Sequence, residues 1–125
     1  MNSKSARLKS SGRVKAINVQ VYWNSGLSNT VEEIDWGTIE PGKSIIKKIY
    51  IKHNSRFDLT LKVSDSNWNP VEASKYITFS CDKDGSIIGR REVVVATLTL
   101  KVSNEITGIQ NFSFDIIIEG VNNSL

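Results

Sequence analysis

From Val14 onward the chain alternates between apolar and polar positions. Ile17, Val19, Val21 and Trp23 fall on one side, and Asn18, Gln20 and Tyr22 on the other. A period of two with one apolar side predicts a half-buried strand with Trp23 in the core. Asn24-Ser25-Gly26 ends it. Val31–Trp36 reads as a second, shorter extended piece. Ile45, Ile49 and Ile51 then share a face that Lys47 interrupts, and Phe57, Leu59, Leu61 and Val63 alternate with Asp58, Thr60 and Lys62. The stretch SDSNWNP (64–70) breaks the pattern, and Asn69-Pro70 favours a turn. Tyr76–Cys81 reads as another strand, which Asp82–Gly85 closes as a hairpin onto Ser86–Ile88. The strongest pattern turns Val94, Ala96, Leu98, Leu100 and Val102 inward. The last turns Phe112, Phe114, Ile116 and Ile118 inward.

No stretch has the helical period, and at most one helical turn is expected, near Pro70–Tyr76. Seven or eight strands, spaced at roughly 8–14 residues, predict an all-β, immunoglobulin-like antiparallel sandwich of two facing sheets. A closed barrel is the competing architecture.

Length and composition add little to this. A chain of 125 residues suits one domain able to bury a core without disulfides or metal. Charge matters only at the N-terminus. The formal net charge is +3, yet residues 1–15 hold Lys4, Arg7, Lys9, Arg13 and Lys15 and no acid. The rest of the chain carries eleven basic against thirteen acidic side chains. The basic character therefore belongs to a leader. Residues 1–13 lack periodicity and are predicted to be disordered, residues 14–120 to form the sandwich, and residues 121–125 to fray. Such a leader either attracts phosphate or anionic lipid or is simply solvated.

Cys81 is the single cysteine, so no intrachain disulfide is expected. No apolar run reaches about 18 residues, which predicts no membrane-spanning helix. The N-terminus lacks the apolar core of a signal peptide. The chain as it stands is expected to be cytoplasmic. An export segment ahead of Met1 would instead direct it outside the cell or to the cell surface.

The segment IDWGTIEPGKS (34–44) joins two predicted strands. Trp36 ends an extended piece, where a large ring can cap the core. Gly37 permits a bulge. Pro41-Gly42 suits a type II turn, with Pro setting φ and Gly accepting a positive φ. Together with the following IYIKHNSRFDLTLKV, this pattern is distantly similar to the major sperm protein and related cilia-associated sandwich domains. VKAINVQVYWN, IDWGTIEPGKS, SNWNP, YITFSCDKDG and GIQNFSFDIII, in this order and spacing over about residues 12–120, resemble uncharacterised archaeal immunoglobulin-like domains. The resemblance implies the sandwich fold, in a group usually exported or membrane-anchored, and it implies no activity. The chain departs from that group at MNSKSARLKS, where an apolar export segment would stand, and at Cys81, where an aromatic is usual.

Catalysis needs a convergent set of titratable groups. His53, the single histidine, falls at a predicted strand end beside a turn and reads as a surface or edge residue. Cys81 has no electropositive neighbour in sequence and reads as a small buried or rim thiol. No Ser-His-Asp pattern, zinc-ligand spacing or phosphate-binding loop occurs, so no catalytic residue, metal or cofactor is expected. CDKDGS lacks the third carboxylate and the distal Glu of a calcium loop. Trp23, Trp36 and Trp68, with Tyr22 and Tyr76, could build a sugar- or peptide-binding platform. Alternatively Trp23 is core, while Trp36 and Trp68 plug opposite ends of the sandwich. Trp68, Trp36 and Tyr76 are the candidate binding residues. Asn111 and Asn122 fit the glycosylation pattern, which matters only on an exported chain.

These observations lead to a non-catalytic module, structural or adhesive at a cell surface, with protein partners and self-association through edge strands. No small-molecule substrate is expected. The alternative is an intracellular adaptor of the major sperm protein type that binds a short peptide along a sheet face. A third reading has the leader bind nucleic acid, an anionic polymer or a membrane, and the acidic body counts against it.

Overall fold

Strand structure begins earlier than the alternation of large apolar residues predicts. The computed structural model describes residues 8–122, and its first strand, β1, is Leu8–Ile17. The inward positions of β1 are Leu8, Ser10, Gly12 and Val14. Two of these four are small or polar, so a search for alternating large apolar residues passes over the strand. Residues 8–13, predicted to be disordered, are thus an integral part of the sandwich. The rest of the predicted leader, 1–7, and the end of the predicted tail, 123–125, lie outside the described residues.

The other strands are β2 (Gln20–Tyr22), β3 (Glu33–Ile39), β4 (Ser44–Lys52), β5 (Leu59–Asn69), β6 (Ile77–Cys81), β7 (Ile87–Ile88), β8 (Val93–Val102) and β9 (Asn111–Val121). A single 3-10 turn, Val71–Lys75, occupies the segment predicted to hold at most one helical turn. Thr30 adds an isolated bridge to Tyr22. Among the described residues nine strands and this bridge therefore stand where seven or eight strands are predicted.

The strands form two sheets, one in the order β3-β1-β9-β5-β7 and one in the order β2-β4-β8-β6. Each sheet has its own free edges, so the architecture is an all-β sandwich and not a closed barrel. Among the described pairings all are antiparallel except one: β1 runs parallel to β9, from Lys9 opposite Asn111 to Ile17 opposite Glu119. Ile49, Ile51, Ala96, Leu98, Leu100 and Val102 line the inner face of the four-stranded sheet. Leu59, Leu61, Phe112, Phe114, Ile116 and Ile118 line that of the five-stranded sheet. Alternation buries every second residue. Each fully buried aliphatic side chain contributes about 1.5–3 kcal/mol.

Asn18 reverses the phase of that alternation. Its φ of 63° is left-handed, a conformation asparagine tolerates. Before it the even-numbered positions point inward; after it Val19 and Val21 do. Here the chain crosses from the five-stranded to the four-stranded sheet. Ile17, predicted to point inward, is consequently at the surface; Trp23, also predicted inward, is 36% exposed because β2 ends at Tyr22 and the chain turns there. Phe57, also predicted inward, lies exposed in the loop before β5.

Two predicted turns are rearranged. The segment expected to break after Val63 continues as strand to Asn69, with a register shift between Ser66 and Asn69 and a left-handed Asn67. Asp82–Gly85 does not close a hairpin, because β6 and β7 belong to different sheets. It crosses between them and covers part of the outer edge of β5. The Gly85 N–H donates to Leu61 O, and the Val63 N–H donates to Asp84 Oδ1 at 2.9 Å. The Pro41-Gly42 turn forms as expected, with the Lys43 N–H donating to Glu40 O at 3.1 Å and a Gly42 φ of 80°.

Candidate functional site

The three candidate binding residues are governed by packing around one phenylalanine. β3 holds Trp36 within the strand, not at its end, and the core covers its ring to 3% exposure. The register shift in β5 brings Trp68 over β9, where it stacks on Phe114 with ring centres 4.2 Å apart and planes 6° from parallel. Trp36 and Phe79 lie 6.4 Å and 5.6 Å from the same Phe114 ring, and Phe112 lies 6.2 Å from Trp68. The two tryptophans therefore meet in one cluster and do not plug opposite ends. Such pairs gain about 0.5–1.5 kcal/mol beyond their buried area.

The Trp68 Nε1–H donates to Asp65 Oδ1 at 3.1 Å. The Trp36 Nε1–H is buried with no partner, beside Gly12, where a Cβ would stand 3.5 Å from it. Tyr76 ends the 3-10 turn, half-buried against the core. Its backbone N–H donates to Ala73 O, and its carbonyl accepts from the Ser103 N–H. Trp36 thus offers no surface to a ligand, and Trp68 and Tyr76 offer only part of theirs. The three do not make an exposed aromatic platform.

Beside this cluster a broad groove of about 710 Å³ crosses the β3-β1-β9 end of the five-stranded sheet. Lys9, Ser11, Glu33, Asp35, Asn69 and Ser113 line it. Its lining mixes small and charged side chains with Pro70 and Phe112.

His53 is fully buried, against the expectation of a surface or edge residue. The Ser55 N–H donates to its Nδ1 at 3.1 Å, so Nε2 carries the hydrogen and donates to Gly89 O at 3.0 Å. The ring ties the loop after β4 to the loop after β7. Its spacing in sequence gives no hint of this, because the partner lies across the sandwich. Around it Arg56, Arg90, Arg91, Asn54 and Ser55 line a depression of about 550 Å³, a grouping sequence reasoning missed. Among the described residues the ion pair is Lys15–Asp115 at 3.6 Å, so these arginines are in none. The neighbouring carboxylates of Asp58 and Glu92 instead accept from the backbone N–H groups of Arg90 and Gly89.

Cys81 is half-buried at the end of β6. Burial pushes its thiol above the ordinary value, a backbone hydrogen bond at Lys83 works against this, and the Asp82 and Asp84 carboxylates push it up further. The side chain is therefore a thiol at neutral pH and a poor nucleophile. Among the described residues no three of His, Cys, Asp and Glu are placed to hold a metal ion. Asn111 and Asn122 are both exposed, at the start of β9 and just past its end. Compared with protein-family models, with curated proteins and with solved structures, the chain matches none.

Proposed function

We propose that the chain is a non-catalytic structural or adhesive module that works by binding protein, copies of itself included, through its sheet edges. The observation that carries this reading is the free edge β6. The other three edges are poor templates: β2 has three residues, β7 has two, and β3 carries Glu33 and Asp35 and a register shift at Trp36. β6 has five residues, exposes Thr78 and Ser80, and contains no charge, proline or bulge. An edge of this kind accepts a further strand. The same sheet turns Ile46, Val93 and Val95 to solvent around Tyr50. Apolar patches on a solvent-facing sheet mark protein contact. The non-catalytic part is supported by His53, whose ring nitrogens bond backbone groups, and by the protonated Cys81 thiol. The cell-surface setting rests on the resemblance of the motifs to exported archaeal sandwich domains.

Sedimentation velocity over a concentration series tests the edge. The parent chain is expected to self-associate as concentration rises. Ser80→Lys, which puts a charge on β6, is expected to associate only at markedly higher concentration than the parent, with an unchanged unfolding midpoint. Equal behaviour of the two proteins contradicts the reading.

A peptide-binding adaptor is the second reading. It is favoured by the strip of Tyr50 and Val95 flanked by Lys48 and Lys52, which suits an acidic peptide laid along the sheet face. Anion binding through the leader loses support, because Lys9, Arg13 and Lys15 are side chains of β1.

A further inference from the structure

We infer that β1 is an exchangeable strand, which one copy of the chain can lay into the five-stranded sheet of a second copy. This rests on the reading of the protein as a self-associating module and names the element that is shared.

The slot for β1 lies between β3 and β9. β1 enters it from the N-terminal side and leaves it through Asn18 and Val19 alone, before β2 begins in the other sheet. Asn18 is left-handed at this joint. Short hinges held in an uncommon conformation invite exchange, because the extended hinge of the exchanged form relieves them.

The inward face of β1 contributes few large apolar side chains to the sandwich. Ser10 and Gly12 occupy core positions, and the Trp36 indole N–H beneath Gly12 has no acceptor. The slot, by contrast, demands an occupant. Without β1, β3 loses its strand partner, and the inward faces of Ile34, Trp36, Phe114 and Ile116 lose their cover.

Charge selects which occupant. β1 carries Lys9, Arg13 and Lys15 and no acid. β3 carries Glu33 and Asp35, β9 carries Asp115 and Glu119, and neither has a basic residue. Arg13 stands in register between Glu33 and Asp115, and Lys15 pairs with Asp115. A basic strand between two acidic ones is matched to this chain's own sequence, so the fitting partner is a second copy. Exchange preserves every contact of β1, so the main opposing cost is the entropy of association.

Two single-cysteine proteins test this, both with Cys81→Ser. One carries Lys15→Cys, the other Ile117→Cys, which are neighbouring positions on β1 and β9. They are mixed at high concentration, treated with a short bismaleimide and resolved by mass. Exchange is expected to give the mixed covalent dimer. Asn18→Val, which disfavours the left-handed hinge, is expected to raise its yield about tenfold. Asn18→Gly loses the same side-chain bond to Gly120 O but tolerates the hinge, and is expected to leave the yield at or below that of the parent.

Absence of the mixed dimer, while a chain bearing both cysteines cross-links within itself, overturns the exchange. If the chain still sediments as an oligomer in that case, association through β6 survives and only the exchange fails. A chain that stays monomeric at every concentration and gives no mixed product overturns both.

Discussion

Deleting residues 1–13 is expected to unfold the protein. The deletion removes Leu8, which is fully buried, and the inward positions Ser10 and Gly12. It also takes away the whole register by which β1 holds β3, from Leu8 opposite Ile39 to Arg13 opposite Glu33. β3 has no other strand neighbour in its sheet, so Ile34, Trp36 and Ile39 lose their anchorage with it. At about 1.5–3 kcal/mol for each of these four large side chains, the loss is roughly 6–12 kcal/mol. That is comparable with the whole stability of a domain of this size, about 5–15 kcal/mol. Circular dichroism is expected to lose its β-type minimum, or the denaturation midpoint to fall close to zero denaturant. A truncated chain with the parent's midpoint would show that β1 does not hold the sandwich together.

Phe114→Ala is expected to cost about 3–5 kcal/mol, the range for a buried phenylalanine whose cavity cannot collapse. The ring touches Trp68, Trp36, Phe79 and Phe112, so its loss leaves several stacked neighbours without a partner. Chemical denaturation measures the cost. Tryptophan fluorescence provides a second readout, because Trp36 and Trp68 both flank the vacated space. A cost below about 1 kcal/mol would mean that the cluster is not the packing centre of this end of the sandwich.

The strands that were legible in sequence are those with large apolar residues at every second position. β8 and β9 do this over ten residues or more, and their inward sets are the predicted ones. β1 was not legible, because Ser10 and Gly12 fit the core only where the indole of Trp36 already fills the space beneath. Its basic side chains suggested a solvated leader. Their acidic counterparts lie about 20 and about 100 residues further on, and only the sheet order brings the three strands together. Ile17 points outward for a local reason: one left-handed residue, Asn18, shifts the alternation by a single position, whereas Trp23 keeps the phase of Val19 and Val21 but lies past the end of β2, where the chain turns.

The candidate site was less legible than the fold. Trp36 and Trp68 are 32 residues apart, and their meeting at Phe114 depends on the register shift in β5, which no composition signal marks. His53 and the arginines at 56, 90 and 91 converge only because the loops after β4 and β7 lie at the same end of the sandwich. The thiol of Cys81 was legible only in part: burial, the largest cause of its raised value, depends on packing, while the further push from the Asp82 and Asp84 carboxylates is local in sequence.

Hydrogen exchange of the backbone amides in β1 tests the central claim most directly, namely that the basic N-terminal segment is a structural strand between β3 and β9. Measured on dilute protein, the amides from Lys9 to Ala16 that pair with β3 and β9 are expected to be protected to the same degree as those of β9, because the two strands open together. Exchange of the whole segment at the rate of an unstructured peptide, with β9 still protected, would contradict it.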